Sequence, residues 1–172
     1  MKPGAILLWL AAVGLIQPAA AADAAGQFGV RGAGLISCAL YEEQRTTRSD
    51  AYHAVAGWLD GYITAVNEYA ADTYDTASFE STELLLALLS EHCSRHPETP
   101  LFAVIRPLIK GLSEHRLREP SDRVTFTIDG RDLRLYAEVI RRIQRRLSDA
   151  EFYSGKIHGV YTDSVRQAMR EY

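Results

Sequence analysis

Apolar positions fall three and four residues apart through most of the chain, the spacing of a helix that buries one face. Tyr52, Val55, Ala56, Leu59, Ile63, Val66 and Ala70 form the clearest run, and Ser49 or Asp50 can cap its start. A shorter helix is predicted from near Leu35 through Cys38 and Tyr41 to about Arg45. Thr82 caps a third, with Glu83 in its first turn, a stripe of Leu84, Leu85, Leu88, Leu89 and Cys93, and His96-Pro97 as its stop. Thr99-Pro100 opens a fourth, because proline suits the first helical position. This helix carries Leu101, Val104, Ile105, Leu108, Ile109 and Leu112, and Pro107 inside it predicts a kink.

The period then changes to two. Val124, Phe126 and Ile128 alternate with Arg123, Thr125 and Thr127 and run into Asp129-Gly130, a strand followed by a turn. A second strand over Leu133 to Leu135 would complete a hairpin, although two strands alone are marginal. Leu133, Tyr136, Ile140, Ile143 and Leu147 restart the helical spacing. Beyond them Gly155 and Gly159 suit a tight loop at positive φ, and Thr162 or Asp163 caps a last short helix. Phe152, Ile157, Val160, Val165 and Met169 are expected to clasp the preceding helix. The predicted fold is therefore mainly α. A four-helix front domain spans 35–118, a linker with a short strand or hairpin 119–131, and a helix-loop-helix 132–172. Gly26, Gly29, Gly32 and Gly34 make 23–34 a flexible lead with no strand before it, so it is not a phosphate loop.

The first 22 residues read as an address. Lys2 is the positive end, Ala5–Ile16 an apolar run, Pro18 a break, and Ala20-Ala21-Ala22 a cleavage site. The run is shorter than the ~20 residues of a membrane span. A signal peptide implies a periplasmic or otherwise extracytoplasmic protein, and no cysteine stands where a lipid anchor would attach. An uncleaved short anchor is the alternative, disfavoured by the alanine site. No second run of membrane length follows, so no membrane anchor is expected after cleavage.

Export changes how the cysteines and the charge are read. Cys38 and Cys93 are the only two cysteines. In an oxidising compartment they are expected to pair, closing a loop worth roughly 3–4 kcal/mol; two free buried thiols are the alternative. Asp23–Gly130 holds 9 Lys/Arg against 16 Asp/Glu, and 131–172 holds 9 against 6. The basic end suits an anionic wall polymer better than nucleic acid, which an exported protein rarely meets.

Catalytic patterns are not evident. His92 and His96 stand four apart but lack a third ligand or a His-Glu-x-x-His frame, Glu42-Glu43 are adjacent and splay around a helix, and no Gly-x-Ser-x-Gly or Cys-His nucleophile stands out. No metal or cofactor is expected, and the chain reads as non-enzymatic.

Two stretches carry resemblances. Ile143-Gln144 with Leu147 matches an apolar-Gln-x-x-Leu helix core, and Glu151-Phe152-Tyr153 matches a Gly-aromatic step with glutamate replacing glycine. His158-Gly159-Val160-Tyr161-Thr162 matches an Asp-Gly-x-aromatic-Gly turn without its aspartate and second glycine. Val165, Arg166, Ala168 and Met169 continue into a second helix, and Tyr172 stands where the pattern has phenylalanine. This tail resembles the peptidoglycan-binding-like repeat, short of its final helix. The resemblance implies peptidoglycan as partner, with Tyr153, His158, Tyr161, Arg166, Arg142 and Arg145 as candidate ligand residues. In the front half, Ser37-Cys38, Trp58-x-x-Gly61-Tyr62-Ile63-Thr64-Ala65-x-Asn67, Thr73-Tyr74-Asp75 and His92-Cys93-x-x-x-Pro97 are similar to the Tai-type immunity proteins of type VI secretion. That similarity implies an all-helical fold and a second reading, an inhibitor of a cell-wall amidase toxin with the tail only structural. Trp58, Tyr62, Asn67, Tyr74 and Asp75 are then the candidate partner residues. Gly61 is expected to mark a close helix crossing or the approach of a partner.

Overall fold

A computed structural model describes residues 22–172. All of the expected signal peptide but Ala22 lies outside the described residues.

Hydroxyl caps set the helix starts. Ser37 Oγ accepts from Leu40 N–H at 3.3 Å and opens α1 (Cys38–Thr47); Ser49 Oγ accepts from Tyr52 N–H at 3.3 Å and opens α2 (Asp50–Tyr69). α3 (Thr82–Cys93) is capped by Ser81 rather than Thr82, whose hydroxyl donates instead to Asp60 Oδ1 at 2.8 Å. α4 (Leu101–Leu112) follows Pro100, which stands one position before the helix rather than inside it.

These four helices enclose one apolar core, with Tyr41, Val55, Leu59, Leu85, Leu89, Leu101 and Ile105 fully buried. Within it Cys38 and Cys93 form a disulfide, S–S 2.04 Å and Cα–Cα 4.7 Å, joining the start of α1 to the end of α3. Tyr41 donates to Leu86 O at 2.7 Å; burial first, with the neighbouring Tyr52, lifts its pKa above the ordinary tyrosine range and keeps it a donor. The α3 stripe differs from expectation. Leu85, Leu86, Leu89 and Cys93 face the core, whereas Leu84 (47%) and Leu88 (38%) remain exposed. Five leucines in six positions do not select a face by periodicity, and the disulfide with the Tyr41 bond to Leu86 does.

Ordered packing also begins before Leu35. Trp58 Nε1 donates to Arg31 O at 2.7 Å, Gly32–Leu35 forms a 3-10 turn, and Phe28 sits edge-on to Phe102 at 5.6 Å. Gly34 is required there, since a Cβ would meet the Trp58 ring at 2.5 Å. Gly61 in contrast is exposed with nothing near it, so it marks no helix crossing.

The hairpin pairs β1 (Arg123–Ile128) with β2 (Arg131–Tyr136), Val124 opposite Leu135 and Phe126 opposite Leu133. Asp129 and Gly130 both have positive φ, 49° and 76°, the two-residue turn whose twist matches paired strands. The hairpin is more than the linker the sequence suggested. Its base is tied to the front helices by Tyr136 and Arg123, and its middle to the tail by Phe126 and Thr127. Those contacts compensate for the weakness of two strands alone.

α5 (Ala137–Asp149) and α6 (Asp163–Glu171, capped by Thr162) make the tail, with Leu147, Tyr153, Val165 and Ala168 as its small core. Of the five residues expected to clasp α5, only Val165 is buried; Phe152, Ile157, Val160 and Met169 are 41–47% exposed. Their work is done by Tyr153, Ala168 and Gln144. Of the two loop glycines, Gly159 alone has positive φ (78°), and a Cβ there would approach Ala137 O at 2.8 Å. Gly155 serves differently, making room for the Tyr153 ring.

Glu151 explains itself in this geometry. It follows the α5 C-terminus at φ 65°, its N–H bonding Ser148 O at 3.0 Å while Phe152 N–H bonds Leu147 O at 2.9 Å. This is a Schellman ending, where glycine is favoured because a Cβ is strained. Glu151→Gly is expected to stabilise the protein by about 0.5–1 kcal/mol in chemical denaturation, strain relief outweighing the extra freedom of the unfolded chain. A loss of stability would contradict the assignment.

Candidate functional site

Tyr74 of the loop between α2 and α3, the 117–122 loop and the first turns of α5 enclose a polar cleft of about 610 Å³. Three contacts hold its walls in register. Asp75 accepts from Tyr136 OH at 2.9 Å, pairs with Arg123 at 3.8 Å and exchanges backbone bonds with Leu117. Arg142 donates to the carbonyls of His115 (2.5 Å) and Arg116 (3.1 Å), fastening α5 to the end of the front domain. The start of α5 is satisfied from the loop, Ala137 N–H on Asp122 O at 2.8 Å and Glu138 N–H on Ser121 Oγ at 3.0 Å.

Charge of both signs lines the cleft, Arg118 pairing with Asp72 and Arg141 and Arg142 with Glu138. Glu119 and Asp122 add negative charge to the lining, which also includes the Tyr74 ring, 41% exposed. Glu138 is the electrostatic centre: it accepts from Arg141 at 3.0 Å and Arg145 at 2.5 Å, with Arg142 at 3.7 Å. Burial opposes its charge, but the two arginine hydrogen bonds and their positive charges outweigh that and hold the carboxyl below its usual range. A depressed carboxyl contributes stability above its unfolded pKa of about 4.3 and loses it as pH falls through the lower folded value. Glu138→Gln is therefore expected to lower the melting temperature at pH 7 by a few degrees, roughly 1 kcal/mol for these part-exposed pairs, with the difference shrinking as pH falls through the lowered folded pKa. A difference that does not shrink on acidification would count against the ion-pair account.

The residues singled out from the sequence are dispersed over this frame. Arg142 lines the cleft and Arg145 supports it through Glu138. Tyr153 is buried, its hydroxyl donating to Lys156 O at 3.0 Å, so it presents no ring to a ligand. Tyr161 stacks on Phe126, 4.1 Å between centroids, and Arg166 donates to Thr127 O at 2.9 Å; both dock the tail on the hairpin. His158 is exposed at the loop, where its Nδ1 accepts from Val160 N–H at 3.1 Å. These four are therefore not brought together with the two arginines.

The front candidates divide similarly. Asn67 and Asp75 are used internally. Asn67 Oδ1 accepts from Thr76 N–H at 2.8 Å and its amide approaches Asp75 at 3.4 Å, which accounts for a poor helix former near the end of α2. Trp58 and Tyr62 stack at 5.5 Å against the edge of Phe102, a half-exposed aromatic face distant in sequence from the cleft. Tyr74 alone of the five lines the cleft. Sequence reasoning missed Glu138 and Ser121. Glu138 was readable, since helical spacing sets it beside positions 141, 142 and 145; Ser121 acts through a loop that no periodicity describes.

Among the described residues no group of three or more His, Cys, Asp or Glu is placed to hold a metal ion, and no helix is long and apolar enough to cross a membrane. The His92 and His96 rings lie 4.6 Å apart, side by side on α3 and its exit. Comparison with protein-family models, with curated proteins and with solved structures gave no match for this chain.

Proposed function

We propose that the chain is an exported, non-enzymatic protein that associates with peptidoglycan through its C-terminal half. In this reading a disulfide-linked four-helix domain carries a partial module of the peptidoglycan-binding-like kind. The cleft is the observation that carries it. Guanidinium and carboxylate groups line it together with an exposed tyrosine, and wall stem peptides bear carboxylates, amides and free amines within a few bonds of each other. Such a zwitterionic chain meets complementary charge on each wall of the cleft, the arrangement that gives specificity more than raw affinity. The burial of Gln144, the residue central to the repeat's helix pattern, supports the same reading.

The test is retention on purified insoluble sacculi. The protein is expected to sediment with them, and Arg141→Ala, which removes a cleft cation while leaving Glu138 paired with Arg145, is expected to reduce retention about fivefold or more. No retention, or equal retention of the variant, would sink the proposal.

A second reading rests on the aromatic face of Phe28, Trp58, Tyr62 and Phe102, with Phe28 50% exposed. Aromatic anchors of this kind suit a protein partner, and the chain would then inhibit a cell-wall amidase in the periplasm with the tail structural. Amidase inhibition abolished by Tyr62→Ala but not by Arg141→Ala would favour it.

A further inference from the structure

Beside the cleft, on the other side of Arg142, lies an apolar groove of about 450 Å³. Val139, Ile143 and Leu147 form its floor along α5, Met169 and Tyr172 one wall, and Phe79 of the front domain the other. Three floor residues spaced four apart make a strip about 12 Å long. The volume falls in the small-ligand range, and an apolar lining with few polar groups is what such sites present.

The rim carries the charge. Arg142, Arg146 and His115 border the groove, and no acidic side chain lines it. Arg142 is engaged with two backbone carbonyls and lies near Glu138. Arg146 differs from its neighbours: Arg141, Arg142 and Arg145 all pair with Glu138, whereas Arg146 has no carboxylate partner among the described residues. Its Nε donates to Tyr172 OH at 3.1 Å, and its guanidinium lies 5.9 Å from that ring's centroid. An uncompensated cation beside an apolar groove, whose exposed surface comes from Phe79, Met169 and Tyr172 over the buried Val139 and Leu147, favours an occupant with a negative head and an apolar body.

We infer that this groove binds a single-chain alkyl carboxylate, the chain along Val139, Ile143 and Leu147 and the carboxylate on Arg146. This site meets the cleft at Arg142, and its ligand has no need of the wall.

Calorimetric titration with laurate, kept below its micellar concentration, tests the inference. One laurate is expected to bind per protein with saturation, and dodecyltrimethylammonium, of equal chain length and opposite charge, about tenfold or more weakly. Arg146→Met keeps an apolar stem and removes the charge; it is expected to weaken laurate about tenfold or more, the loss of one charge-assisted contact. Met169→Glu, at a 45% exposed position, places a carboxylate in the groove and is expected to abolish binding even if Arg146→Met does not fold. Equal binding of the two amphiphiles, unsaturable uptake, or laurate binding unchanged in either folded variant would overturn the assignment.

Discussion

Replacing Cys38 and Cys93 together by alanine is expected to lower stability by roughly 3–4 kcal/mol, about 10 °C in melting temperature for a chain of this size. The disulfide closes a span of 55 residues, and most of its effect is exerted on the unfolded chain, whose freedom it restricts. Both sulfurs are within the core, Cys38 at 0% and Cys93 at 1% exposure, so the alanines also leave space that neighbours fill only partly. A marginal protein has 5–15 kcal/mol in total, so the variant sits near the edge of folding at 37 °C. Thermal melts with and without the substitutions check this. A difference under about 1 kcal/mol would show that α1 and α3 hold the core without their bridge.

Gln144 is expected to produce the second large effect, localised in the tail. It is fully buried, and its side chain makes a complete set of bonds to the 158–160 loop: Oε1 accepts from His158 N–H and Gly159 N–H at 3.0 Å each, and Nε2 donates to Val160 O at 3.1 Å. Gln144→Leu has similar volume but leaves the buried Gly159 N–H and the part-buried His158 N–H and Val160 carbonyl without partners, at about 1–3 kcal/mol for each that water does not reach. A loss of roughly 3–5 kcal/mol follows, enough to release the loop and α6 from α5. Gln144→Glu keeps both acceptor bonds but loses the Nε2 contacts with Val160 O and His158 Nδ1. Once protonated its hydroxyl can still donate to Val160 O, so under acidic conditions its cost should be smaller than that of leucine. Urea denaturation of the pair under those conditions reads the order directly, and equal costs would refute the hydrogen-bond account.

The residues that were legible and those that were not differ in physical kind. Helix positions followed from period and capping because both are local: Ser49, Pro100 and Thr162 announce starts within a residue or so. The rotation of α3 was not local. Its leucines fill two faces, and only the bridge to Cys38 and the Tyr41 bond choose between them. Asn67 and Asp75 stand out in the sequence only as candidate partner residues; that they meet each other, and that Asp75 also binds Tyr136 61 residues away, no local pattern can say. Tyr161 and Arg166 were read as ligand residues because their chemistry suits one; in the fold that chemistry meets Phe126 and Thr127. Glu151 is the opposite case, a departure from a pattern's glycine that retains the glycine's backbone conformation.

The cleft owes its existence to these long-range contacts. The hairpin joins the tail to the front helices instead of separating them, and Glu138, Arg141 and Arg142 become one wall only because Asp75 and the carbonyls of 115 and 116 hold α5 in place. A function carried by the tail therefore depends on the front domain as scaffold.

Backbone amide NMR of the protein titrated with a soluble wall fragment, a disaccharide bearing its stem peptide, tests that claim most directly. Saturable shifts are expected at Tyr74, Ser121, Glu138 and Arg141, lost in Arg141→Ala. Shifts confined to 152–161, or none at all, would contradict a wall-binding cleft between the front domain and α5.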